Sequence, residues 1–204
     1  MEVIIMDCYK AGKLISDLRK EKGLTQRMLA DMLHISDRTV SKWETGAGYP
    51  DVSILHELSR VLDVNIEKIL SGELGSNTPE GGNMKKVRFY VCPTCGSVLW
   101  CTGGADISCC GRRLSPLIPQ SEDSGHESVF SEDDDEYYIM LQHDMTKQHY
   151  ISFVACAAYD RMMFLKLYPE QAAEVRFPKM YGGDLYFYCS EHGLFKRAGH
   201  LKNG

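Results

Sequence analysis

The chain has 204 residues, a formal net charge of −5 and 44% hydrophobic residues, which suits a water-soluble protein of one to three small domains. No apolar run approaches a membrane span, and the opening Met1–Asp7 has neither the length nor the charge of a signal peptide, so a cytoplasmic protein with no membrane partner is expected. In that compartment close cysteine pairs argue for metal rather than disulfides, and the acidic balance does not exclude DNA binding, which needs only a local basic face.

Residues 8–71 read as an all-α head. Leu14, Leu18 and Leu24 share one face of a first helix, with Lys13, Arg19 and Lys20 opposite, and Gly23 ends it. Thr25 is placed to cap a second helix that turns Met28, Leu29 and Leu33 inward. Ser36 or Asp37 caps a third, with Val40 and Trp43 inward. Gly46, Gly48 and Pro50 break the chain. A fourth helix is predicted from Val52 to Leu62, and a short fifth from Ile66 to Leu70. The tight turn at Leu33–Ser36 suits a helix-turn-helix. His34 and His56 read as ordinary surface or core histidines.

The run Leu24-Thr25-Gln26, Leu29-Ala30, Ile35-Ser36, Thr39-Val40-Ser41-Lys42-Trp43-Glu44-Thr45-Gly46 and Pro50-Asp51 resembles the XRE-type, lambda-repressor-like DNA-binding domain over nearly all of residues 10–71. The resemblance implies that the third helix enters the major groove and that Thr25 and Gln26 grip a phosphate at the start of the second. Ser36, Asp37, Arg38, Thr39, Ser41 and Lys42 fall where side chains reach bases or phosphates. Asp37 departs from that chemistry. It repels phosphate unless it accepts from a cytosine amine, or it only caps the helix. Trp43 and Glu44 read as structural.

Residues 72–84 are rich in glycine and polar side chains and read as a flexible linker. In 85–118, the strand-like Lys86–Val91 leads into Cys92-Pro93-Thr94-Cys95-Gly96, and Cys109-Cys110-Gly111 follows. Four thiolates in two pairs make a tetrahedral set for zinc or a single iron. The adjacent second pair resembles desulforedoxin and the N-terminal part of desulfoferrodoxin, which implies iron, with zinc the occupant after heterologous expression. Cys101 lies outside the motif, and Cys8, Cys101 and Cys156 are free thiols on this reading.

Ser121–Gly125 and Ser131–Glu136 are acidic runs that read as solvated loops. Beyond them, Tyr137–Leu141, Tyr150–Ala157, Met162–Tyr168, Glu174–Phe177 and Leu185–Cys189 are strand-like, so 119–204 is expected to form an immunoglobulin-like antiparallel β-sandwich. The fold class is thus multidomain: a helical head, a small metal knot and a sandwich. His143 and His149, with Cys189 and His192 in a Cys-x-x-His, offer ligands for a mononuclear transition metal.

Those segments, His143 to Ile151 and Cys189-Ser190-Glu191-His192-Gly193-Leu194, resemble the catalytic domain of superoxide reductase, the C-terminal part of desulfoferrodoxin. His126 sits where that family has a further equatorial histidine. The resemblance implies iron held by four imidazoles and the thiolate of Cys189, a position open to superoxide, a paired chain and an electron donor such as rubredoxin. Gly125 stands where the family usually has a lysine that attracts superoxide, so anion capture is expected to be slower. Three functions remain open: a regulator binding double-stranded operator DNA as a homodimer, with an iron tail sensing redox state, superoxide or iron; a superoxide reductase carrying a DNA-binding head; and a regulator with a structural metal-bound dimerisation tail.

Overall fold

The computed structural model describes residues 7–76, 83–180 and 182–199, and the chain divides into two compact units, Met1–Ser76 and Asn77–Gly204. The first unit contains α1 (Cys8–Glu21), α2 (Gln26–Met32), α3 (Asp37–Glu44), α4 (Val52–Leu62) and α5 (Ile66–Ser71). Short polar side chains start the helices, because each supplies an oxygen to an otherwise unpaired amide. Asp7 accepts from the amides of Tyr9 and Lys10, Thr25 from Met28, Ser36 from Thr39 and Asp51 from Ser53. Ser36, not Asp37, is therefore the cap of α3. Asp37 is the first helical residue, where its charge faces the positive end of the helix.

Ile15, Leu29, Val40, Leu58 and Ile69 form the fully buried centre of this unit. Gly12 permits the close crossing of α1 and α3, since a Cβ there would lie 1.9 Å from the Trp43 carbonyl oxygen. Met28 does not turn inward as expected. It is 47% exposed on α2, because Leu29, Ala30 and Leu33 already fill the inward face. Leu24 lies beyond the end of α1 and is only half-buried, and its carbonyl accepts from the Arg19 guanidinium.

The proposed linker is shorter in described structure than its composition suggests. Gly72 caps α5 at φ +72°, and Glu73 pairs with Lys10. Positions 77–82 lie outside the described residues. Met84 already donates its amide to Tyr159, at the start of a 3-10 turn, Met84–Lys86.

The second unit is antiparallel throughout its strand ladders. Two hairpins come first: β1 (Arg88–Val91) with β2 (Val98–Cys101), and β3 (Ile107–Cys109) with β4 (Arg112–Leu114). Then β5 (Ser128–Asp133), β6 (Glu136–Leu141) and β9 (Glu174–Pro178) make a three-stranded sheet, while β11 (Gly193–Arg197), β10 (Asp184–Cys189), β7 (Ile151–Ala157) and β8 (Met162–Lys166) make a four-stranded one. Tyr137, Ile139, Val175 and Phe177 of the first sheet pack against Val154, Cys156, Leu185 and Phe187 of the second.

Sequence reading missed β5 and β11. The acidic run Ser131–Glu136 is a hairpin rather than a loop. Its outward carboxylates meet cations of β9 and the residue after it, with Arg176 2.9 Å from Asp133 and Lys179 3.0 Å from Glu132. The four-cysteine segment is not a separate body either. Val87 and Phe89 cover the outer face of the four-stranded sheet at Phe153, Ala155 and Tyr186, so every residue of β7 is buried.

Candidate metal centres and nucleic-acid face

On the helical unit, Thr25, Ser36, Asp37, Arg38 and Lys42 are exposed, and Gln26, Thr39 and Ser41 are half-buried. Several of these have intramolecular ties. The Gln26 side-chain amide donates to Glu44 at 2.9 Å, and the hydroxyls of Ser36 and Thr39 lie 2.8 Å apart. Glu44 also accepts from Arg19 at 2.5 and 2.9 Å and from Ser16 at 3.1 Å. Burial alone would raise the Glu44 carboxyl, but these hydrogen bonds outweigh it and hold Glu44 below the usual carboxylate range. Gln26 is thus pinned at the start of α2, and Trp43 is buried in the core of the unit, as the structural reading of Trp43 and Glu44 expected. His34 and His56 are both exposed.

The four cysteines come together at the tips of the two small hairpins. The Cys92 and Gly96 amides close the first tip by bonding to the Ser97 and Cys92 carbonyls at 2.9 Å. In the second, Cys109 pairs with Arg112, and the turn residues Cys110 and Gly111 have φ of 50° and 72°. That is the two-residue turn matching the twist of paired strands. It lets adjacent cysteines face one point. The four Sγ atoms lie within 4.8 Å of one another, with Cys95 to Cys109 at 3.6 Å and Cys109 to Cys110 at 4.0 Å. Thiolates set tetrahedrally about 2.3 Å from one ion stand about 3.8 Å apart. The donor set therefore fits such an ion.

Local bonding divides the thiols. The hydroxyl and amide of Ser97 pull Cys95 down to about 6, whereas Cys110, facing the sulfurs of Cys95, Cys92 and Cys109, is pushed up to about 12. Four thiolates so close repel one another unless a cation sits among them. Cys101 stands apart from the cluster, its thiol donating to the Gly103 carbonyl at 3.0 Å.

The five remaining candidate ligands converge from three loops of the sandwich. His126 precedes β5. His143 and His149 lie in the β6–β7 loop, where Met145 takes φ 51° and Thr146 bonds both backbone groups of His149. Cys189 ends β10 after a register shift, and His192 is in the turn closed by Gly193 at φ 89°. His143 Nε2 is 2.9 Å from His149 Nε2, which is 3.2 Å from His192 Nδ1. Cys189 Sγ is 3.6 Å from His143 Nε2 and 3.5 Å from His192 Nδ1. Ligands at right angles about 2.1 Å from an ion stand about 3 Å apart, which matches this crowding.

His126 gives the sharpest test of fit. Its ring stacks on Phe195, with centroids 4.2 Å apart, and its Nδ1 is 2.7 Å from Asp123 Oδ1. An ionised carboxylate only accepts, so Nδ1 is the donor, and in the neutral ring Nε2 carries the lone pair. That Nε2 is buried and has no hydrogen-bond partner among the described residues. A buried lone pair without a partner is costly, and a cation among these donors would satisfy it. Burial, then the imidazoles of His149 and His126, hold His143 down at about 4, which keeps it neutral and able to ligate near pH 7.

His126, His143, His149 and Cys189 have ligand atoms all within 4.8 Å of one another, and His192 joins through its contacts with His149 and Cys189. Cys189 and His126 are buried, His143 and His149 half-buried, and His192 exposed. Sequence reading did not single out Asp123 or Glu191, whose carboxylate approaches His149 and His192. An Asp three residues before a His is too weak a signal to find alone. Ser121–Gly125 is a bonded turn rather than a merely solvated loop, since Asp123 also accepts from the Gly125 and His126 amides. His200 lies outside the described residues.

Residues 15–69 match the family model for a helix-turn-helix. Over 80 residues the chain is 39% identical to the HTH-type transcriptional activator BcrR of Enterococcus faecalis, covering 38% of this chain and 39% of that protein. Over 116 residues it is 26% identical to a desulfoferrodoxin of Clostridium acetobutylicum, covering 53% of this chain and 93% of the relative. The superoxide reductase of Treponema pallidum is similar in structure over 55% of this chain and 98% of its own, at 20% identity and a TM-score of 0.49. The chain joins a helix-turn-helix domain, similar to those of transcription regulators, to a desulfoferrodoxin-like region. No helix among the described residues is long and apolar enough to cross a membrane.

Proposed function

We propose that the chain is a transcriptional regulator that binds double-stranded operator DNA as a homodimer, and that its tail holds iron and senses redox state, superoxide or iron. The observation that carries this is the convergence of four imidazoles and a thiolate, one buried nitrogen lacking a hydrogen-bond partner among the described residues, in a chain headed by a helix-turn-helix. Thr25, Gln26, Ser36, Asp37, Arg38, Thr39, Ser41 and Lys42 form the DNA-facing set, with Arg38 and Lys42 supplying its positive charge. Paired heads on paired half-sites are the usual geometry for such domains.

Cys92, Cys95, Cys109 and Cys110 hold one iron, which zinc can replace. His126, His143, His149, His192 and Cys189 hold the other. At the second site the bound metal supplies one-electron chemistry, and the thiolate donor tunes it. The chain's own side chains bring four ring nitrogens to one place and keep Cys189 away from solvent.

A second reading, reduction of superoxide with electrons from a donor such as rubredoxin, has one favouring observation: the exposed His192 and half-buried His149 leave the centre open on one side. The Glu191 carboxylate makes that side unattractive to an anion, and Gly125 offers no positive charge to offset it. The test is metal content and visible absorption of anaerobically purified protein. Iron at both sites, with a thiolate-to-iron band appearing on oxidation, is the expected result. Metal at the cysteines alone, after anaerobic iron loading, would overturn the iron-sensing reading.

A further inference from the structure

We propose that Asp123 is a positioning residue for the histidine centre: it fixes His126 in the one tautomer that can ligate, and its charge sets how basic that ligand is. The inference rests on the reading of this centre as a metal site. Asp123 Oδ1 is 2.7 Å from His126 Nδ1 and accepts from the Gly125 amide at 3.1 Å, while the Asp123 carbonyl accepts from the His126 amide at 3.0 Å. One residue thereby sets the turn and the ring together.

Phe195 closes one face of the imidazole at 4.2 Å, so the ring is held at an edge and a face. Nε2 is left buried, unpartnered and aimed toward the other imidazoles, whose ring centroids lie 4.9 to 6.2 Å away. The loop itself is anchored separately. Ser128 donates to Glu122, and Arg197 donates to Ser128 and lies 3.7 Å from Glu122.

The Asp123 side chain is 59% exposed. An exposed carboxylate with solvent around it adds little to folding by itself, and Glu122, Ser128 and Arg197 already hold the loop. The consequence of Asp123 therefore falls on the imidazole. A carboxylate that accepts the far N–H of a ligating histidine orients the ring and strengthens its donation to the metal, favouring the more highly charged metal state.

The test compares the full-length chain with Asp123→Ala, Asp123→Asn and, as a control, Asp144→Asn, which removes a carboxylate beside His143 that makes no bond to His126. Anaerobic titration with Co(II), read by its d–d absorption, reports affinity at the histidine centre independently of redox activity. The midpoint potential of the iron-loaded centre is the second readout.

We expect Asp123→Ala to weaken Co(II) binding at this centre about 10- to 100-fold, with the four-cysteine site unchanged. Asp123→Asn keeps an acceptor and loses the charge, so it should bind Co(II) with a smaller loss yet raise the iron potential. Wild-type affinity and potential in both Asp123 variants would overturn the proposal, as would an equal shift in Asp144→Asn. Should the unaltered chain take up no Co(II) at the histidines, the metal-site reading fails before this one is tested. Should Asp123→Ala not fold, the potential of Asp123→Asn decides.

Discussion

Glu44 ties three side chains of the head together. It binds Arg19, Gln26 and Ser16 at once, and the side chains of Arg19 and Glu44 are only 10% and 6% exposed. Removing one partner of a buried pair strands the other charge, so Glu44→Ala should cost about 3–5 kcal/mol, read from chemical denaturation. The same pair gives a pH dependence. Because the folded Glu44 carboxyl is held below its ordinary value near 4.5, the unfolded chain takes up its proton first on acidification. The contribution is fully present above about pH 4.5 and is lost as pH falls through the lower folded value. Acid titration of helicity should show that loss in the native chain and not in Glu44→Ala. Gln26 adds a functional consequence. With Glu44 gone, its amide is no longer held at the start of α2, so DNA affinity should fall even where the head stays folded.

Elements were legible in proportion to how local their causes are. Val52–Leu62 is legible as a helix because its apolar positions repeat at helical spacing, and the structure adds Asp51 as its cap. Ser131–Asp133 was read as loop because its strand character depends on Arg176 and Lys179 in other parts of the chain. For the same reason β7 read as one more strand of a sandwich, with no sign that its outer face is covered by Phe89. The site divides likewise. Cysteine and histidine spacing pointed to every candidate ligand of the two centres except His126, which only the family resemblance supplied, whereas the Asp123 contact and the Gln26–Glu44 bond exist only after folding. The Phe89 contact makes a measurable prediction. Its ring lies 5.3 Å from both Phe153 and Tyr186 and is 1% exposed, so Phe89→Ala should destabilise the tail by about 3–5 kcal/mol. Hydrogen exchange at β7 should rise with it. Unchanged protection there would mean that the knot does not support the sheet.

At the scale of the whole molecule, a chain of net charge −5 can bind DNA only through a local basic face. Lys42 is exposed on α3, so Lys42→Ala should weaken binding to all sequences alike and reduce the salt slope of log affinity by about 1. Arg38→Ala should relax sequence preference if Arg38 reads a base, and match Lys42→Ala if it touches phosphate. Whether the tail's metal state alters what the head does is read in one titration. The iron-loaded, reduced chain and the same sample after superoxide treatment are each titrated onto duplexes enriched by this protein from randomised DNA, at one fixed salt concentration. The two affinities are expected to differ, and the difference to disappear in His126→Ala, which lacks the buried nitrogen of the centre. Equal affinities in the reduced and oxidised states would contradict the iron-sensing reading and leave the tail as a structural partner of an ordinary DNA-binding head.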